Sequence, residues 1–193
     1  MNPHTRDRLR LNPILGTFLG ILFVSTASIF IRFAQTEASS IVIAASRLFI
    51  ASMVLVPIAF ITNWDEIQQL SRSDLSKGLL SGVFLALHFA TWISSLEFTS
   101  VASSVVLVTT TPLWVALLSP LILREPIRRS VIVGLLISMT GSVIVGMGNA
   151  CDFKEGVLVC QAQIFGGQAM LGNFLALFGA WMAAGYMLIG RQL

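Results

Sequence analysis

Six apolar runs dominate this 193-residue sequence: Ile14 to Phe33, Ile41 to Thr62, Gly78 to Leu96, Val101 to Leu123, Val131 to Met147 and Met170 to Ile189. Each is about 20 residues long, and at roughly 1.5 Å of rise per residue that length matches a hydrocarbon core about 30 Å thick. None shows the period-two alternation of a barrel strand. Charged residues make up 11% of the chain and hydrophobic ones 55%, where a soluble domain carries roughly a quarter charged. So much apolar surface has no place in a water-soluble fold. The expected fold class is all-α, a polytopic membrane helix bundle of about six transmembrane helices.

The net charge of +3 does not come from a basic patch of the kind that binds nucleic acid. The basic residues sort by interval instead. With the amino terminus on the inside, the inner segments hold Arg6, Arg8, Arg10, Arg72, Lys77, Arg124, Arg128, Arg129 and Arg191. The outer loops then hold only Lys154, while Arg32 and Arg47 sit within the runs. Nine against one supports a cytoplasmic amino terminus under the positive-inside rule. The expected location is a multi-pass position in a bacterial inner membrane. A secretory signal is the other reading of the first run, but its length and the five spans after it favour a retained helix.

The two cysteines, Cys151 and Cys160, both lie in the interval between the fifth and sixth runs, on the expected outer side, where a disulfide persists. A disulfide and two free thiols both remain open. The polar interval Asn63 to Lys77 has room for a short surface helix, and Ser130 stands where a cap for the fifth helix belongs. Gly16 with Gly20, and Gly78 with Gly82, have the spacing that lets helices pack closely.

The first and last runs share a local pattern. LGTFLGI from Leu15 and LGNFLAL from Leu171 agree at four of their first five residues. Five helices separate the two starts, so the second copy enters the membrane from the opposite side. That is inverted-topology repetition, a feature of many secondary transporters.

Three stretches resemble one family. Ser94 to Ile127, SSLEFTSVASSVVLVTTTPLWVALLSPLILREPI, is similar to the third-to-fourth helix signature of the EamA family of the drug/metabolite transporter superfamily. Val133 to Gly146, VGLLISMTGSVIVG, resembles its glycine-spaced fifth helix, and Leu171 to Arg191 looks like the helix that opens its second repeat. The resemblance implies a ten-helix inverted-repeat fold with a central solute cavity and alternating access. On that plan residues 1–12 are a cytoplasmic segment and 13–148 a complete five-helix repeat. Residues 149–169 are then an extracytoplasmic loop, and 170–193 the first helix of a truncated second repeat.

Polar side chains within a bilayer are costly, so each needs a reason. His88 and Trp92 lie one turn apart in the third run, on a stripe with Ser81 and Ser95. That stripe suits either a cavity wall or a neighbouring helix. Thr110 and Pro112 sit mid-way along the fourth run, where proline frees the carbonyl of Val108 and should kink the helix. The kink is either a solute site or a structural bend. Arg47 lies about 9 Å from the outer end of the second run, placed either to snorkel, to pair within the protein or to meet an anionic solute group. Trp181 is a weaker candidate on the sixth run, with Tyr186 near it. Glu125 is expected to pair with the neighbouring arginines.

No HExxH, GxSxG or phosphate-loop pattern occurs, and neither a cofactor nor an enzymatic activity is expected. The expected partners are the lipid bilayer, a small-molecule solute, and a second copy or the missing carboxy-terminal half. The leading expectation is a secondary transporter that exports a small metabolite or drug-like solute. The alternative is a non-transporting truncated product or a membrane subunit that needs a partner.

Overall fold

A computed structural model of the chain describes residues 13–154, 157–160 and 167–193, with side chains from 14 to 145 and from 167 onward. Within them the order is α1 (Pro13–Ala34), α2 (Ser40–Thr62), α3 (Trp64–Gln68), α4 (Arg72–Phe98), α5 (Val101–Val108) and α6 (Thr111–Ile122). There follow α7 (Arg129–Ala150), strands β1 (Cys151–Lys154) and β2 (Val157–Cys160), and α8 (Gly167–Gly190). Five segments are long and apolar enough to cross a membrane: α1, α2, α4, α5 continued by α6, and α8. The described apolar part of α7, Arg129–Val145, is shorter. The expected all-helical bundle is therefore the fold, with one departure among the described residues. β1 and β2 pair antiparallel and set Cys151 opposite Cys160. The disulfide considered there concerns side chains outside the described ones.

Long-range hydrogen bonds fix the direction of each helix. The end of α1 meets the end of α4, where the Arg32 guanidinium donates to the Leu96 carbonyl. The start of α2 meets the same end through Ser40, whose backbone N–H and hydroxyl both donate to Glu97. The start of α8 joins it too, with Thr99 Oγ1 donating to Asn173 Oδ1 at 2.9 Å. At the opposite end the Ser81 hydroxyl donates to the Tyr186 carbonyl at 3.3 Å. We call the side where α1 and α4 begin the near side and the other the far side. α1 and α8 thus run in opposite directions, as the inverted pattern of their sequences requires.

The central pair is α4 and α8. Gly172, Ala176, Gly179, Ala180, Ala183 and Ala184 form a buried stripe along α8. A Cβ on Gly172 would stand 2.8 Å from the Thr99 backbone nitrogen, and one on Gly185 would enter the Phe84 ring. Small residues let the two backbones approach, which is the main source of helix association where lipid removes the hydrophobic drive. The close contacts expected of Gly16, Gly20, Gly78 and Gly82 do not form, since nothing lies within 4 Å of a Cβ at any of them. Gly16 and Gly20 lie in the stretch of α1 from Ile14 to Thr26, where every residue is exposed.

α1 and α2 join the bundle only at the far side. Ile31, Ala44, Trp92, Ile93 and Leu96 make a core there, flanked by Ile43, Phe89, Val101 and Val108. Gln35 Nε2 adds hydrogen bonds to Ser40 Oγ and the Ile93 carbonyl, each 2.8 Å. Every residue of α1 from Ile14 to Thr26 and of α2 from Phe49 to Thr62 is exposed. The two helices are thus clasped at the far side, and their near halves stand exposed.

Near-side connections follow their local sequence. α3 is the short helix expected in the polar interval. Ser71 and Asp74 form a capping box that starts α4. The Arg128 carbonyl accepts the N–H groups of Val131 and Ile132, so α7 begins at Arg129 and Ser130 lies in its first turn rather than capping it.

Candidate functional site

Arg47 lies one turn below Ala44, on the stripe of α2 that faces α4. Its guanidinium sits over the Phe89 ring, 5.3 Å from the centroid. Phe89 is nine residues from the end of α4, or about 13 Å along the helix, so the charge rests at depth rather than at the far interface. Among the described residues Arg47 has no hydrogen bond and no ion pair. An arginine at the middle of a span costs about 2.5–3.5 kcal/mol, while a cation over an aromatic face returns roughly 0.5–2 kcal/mol. The ring alone does not offset the burial.

The rings beside Arg47 form one group. His88 and Phe89 are 4.9 Å apart by centroid, and His88 stacks on Trp92 at 5.8 Å with 13° between planes. His88 Nδ1 is 2.8 Å from the Gly179 carbonyl, which only accepts, so that nitrogen carries the proton. Trp92 is buried in the far-side core, and its Nε1 has no hydrogen-bond partner. Ser95, next on the stripe, donates to the Trp92 carbonyl at 2.6 Å and bonds the Ser104 hydroxyl at 2.6 Å. The stripe of Ser81, His88, Trp92 and Ser95 therefore faces neighbouring helices, with α8 and α5 taking its polar groups.

The fourth run breaks into α5 and α6 at Thr109–Thr110, and Pro112 stands in the first turn of α6. Three consecutive threonines mend the break. Thr109, Thr110 and Thr111 donate to the carbonyls of Val106, Leu107 and Val108 at 3.0, 2.6 and 2.7 Å. The carbonyl that proline frees is thus taken by the hydroxyl of Thr111. Thr110 Oγ1 also accepts from Trp114 Nε1 at 3.1 Å, and Trp114 meets Trp181 edge-on at 5.3 Å.

A cavity of about 700 Å³ opens between α6, α7 and α8 on the near side. That is within the range of small-molecule sites, roughly 300–1,000 Å³. Pro112, Val115, Val131, Leu135 and Met187 supply apolar wall, and Ser119, Glu125, Arg128 and Arg191 supply polar groups. Arg191 Nη2 reaches both carboxylate oxygens of Glu125, at 2.8 and 3.0 Å, which ties the end of α8 to the turn after α6. Glu125 was expected to pair with neighbours in its own turn. Its partner instead comes from a helix 66 residues on.

The six candidate residues fall into three places. Arg47, His88 and Trp92 gather between α2, α4 and α8. Thr110 and Trp181 meet through Trp114 on another face of α8, because Gly179 and Trp181 are about 200° apart around the helix. Pro112 lines the near-side cavity. Phe89, Trp114 and the Glu125–Arg191 pair were not singled out from the sequence. Phe89 is one of 13 phenylalanines, and only the packing of α2 on α4 marks it.

Comparison with known proteins adds one finding. The model of the EamA-like transporter family matches residues 11–147. No curated protein and no solved structure matches the chain.

Proposed function

Because the chain belongs to the EamA-like transporter family, we propose that it is a secondary transporter, exporting a small and largely apolar organic solute by alternating access. Its multi-pass membrane character is plain from the apolar helices. The observation that carries the proposal is the asymmetry of the bundle. The far side is clasped by the Arg32, Gln35 and Ser40 hydrogen bonds, while the near side holds the exposed half of α2, which we read as bordering a gap, and the cavity beside Pro112. The arginine bias supports a cytoplasmic near side, and on that orientation a solute enters from inside, as export requires. No nucleotide-hydrolysing motif occurs, and the driving force is a solute or ion gradient.

The test is accumulation of radiolabelled small aromatic solutes by everted membrane vesicles carrying the chain. We expect uptake above vesicles without it, lost when an ion gradient is collapsed and reduced at least tenfold when Ala116→Trp fills the cavity. Uptake equal to that of control vesicles for every solute would contradict transport.

A second reading is favoured by one observation. Every residue in half of α1 and half of α2 is exposed among the described residues, which suits a subunit whose near half packs on a partner's helices. Chemical cross-linking from Leu22 or Leu55, each changed to cysteine, into a second polypeptide would support that reading.

A further inference from the structure

We propose that Arg47 and the face of Phe89 form the head of a binding site for an amphipathic monocarboxylate, entered from the near side between α2 and α4. The proposal rests on the reading of the near-side gap as a solute path, and it names the class of solute that the gap selects.

The guanidinium presents five donors in a planar fork, and no group of the described residues accepts from it. Among the described residues no counter-ion stands at that depth. Every described carboxylate lies in an interhelical segment or at a helix end: Glu37, Asp65, Glu66, Asp74, Glu97 and Glu125. Glu97 is committed to Ser40 at the far side. A half-buried charge without a partner is stabilised when a ligand brings one, and a carboxylate matches the fork with two parallel hydrogen bonds.

Position makes the group reachable from one side. Arg47 stands where α2 leaves the bundle, with Leu48 half-buried and every residue beyond it exposed. Above it, Ala44 and Ser40 are buried and close the far side. Phospholipid phosphates stay at the interface, whereas this guanidinium lies about 10 Å below the start of α2. A carboxylate arriving with an apolar body fits that depth.

The surroundings select one negative charge and an apolar tail. Arg47 is the one permanent cation of the cluster, beside a His88 whose Nδ1 is held by Gly179. A dianion such as a phosphate monoester would leave a surplus charge in low dielectric. Leu85 and Phe89 lie one turn apart on α4. Ala51, Val54 and Ile58 continue the Arg47 stripe of α2 toward the near side.

The test uses the purified full chain in nanodiscs of zwitterionic lipid, with 3-phenylpropionate and its primary amide as probes and calorimetric titration as the readout. We expect saturable binding of the carboxylate at least tenfold tighter than of the amide. Arg47→Gln should abolish that preference without changing helical content, and Arg47→Lys should retain only part of it. Equal affinities in the unaltered protein, or no saturable binding of the carboxylate, overturns the proposal without reference to any variant. Carboxylate binding that depends on Arg47, together with vesicles that fail to transport, upholds the site and removes the transport reading instead.

Discussion

Single side chains meet the cost of polarity within this bundle in different ways. The three threonines at the α5–α6 break spend their hydroxyls on backbone carbonyls one turn earlier. Ser40 is buried and joins Gln35 to Glu97, so Ser40→Ala removes a hydrogen bond from each, leaving Gln35 its bond to Ile93 and Glu97 that of the backbone N–H. We expect that change to destabilise the protein by about 1–3 kcal/mol, read as a lower melting temperature in detergent. Glycine tests the asymmetry of the two related helices. Gly172→Ala forces a Cβ against the Thr99 backbone and should cost about 1–3 kcal/mol. Gly16→Ala meets nothing and should be neutral or slightly stabilising, because alanine favours the helix by about 1 kcal/mol. The same melting measurement decides both, and equal losses at the two positions would contradict the packing described. The Glu125–Arg191 pair is largely exposed, at 50% and 63%. Its coupling in a double-mutant cycle should stay below about 1 kcal/mol.

Among the elements, the apolar runs mark their own length, and the helices follow them within a few residues. The break in the fourth run was legible because proline has a fixed chemical consequence. Its repair by Thr111 needed the structure, since either a neighbouring helix or a local hydroxyl takes the freed carbonyl equally well on paper. Pro112→Ala restores a donor for the Val108 carbonyl in competition with that hydroxyl. Spin labels at Ala102 and Leu121, each introduced as cysteine, should then move toward the separation of an unbroken helix, about 28 Å along the axis. An unchanged distance would mean that tertiary packing, not proline, sets the break. The small-residue stripe of α8 from Gly172 to Ala184 stands in the sequence but was not singled out there, while the glycine pairs that were do not pack. The β1–β2 hairpin was not legible, being two four-residue segments in a polar interval between long spans.

For the molecule as a whole, the asymmetry between a clasped far side and an exposed near side is what the proposed function rests on. Sequence order and arginine placement indicate which side is which, but the convergence of α1 and α2 on one end of α4 depends on contacts separated by more than 50 residues. A separation of 42 positions likewise hides the Arg47–Phe89 contact. The most direct measurement is water access along α2, with Cys151 and Cys160 replaced by serine and single cysteines introduced by Val54→Cys and Ala44→Cys. A membrane-impermeant maleimide added on the cytoplasmic face should label position 54 and leave position 44 protected from both faces. Protection of position 54 from the cytoplasmic face, with labelling of position 44 from the outside, would contradict the inward-open bundle.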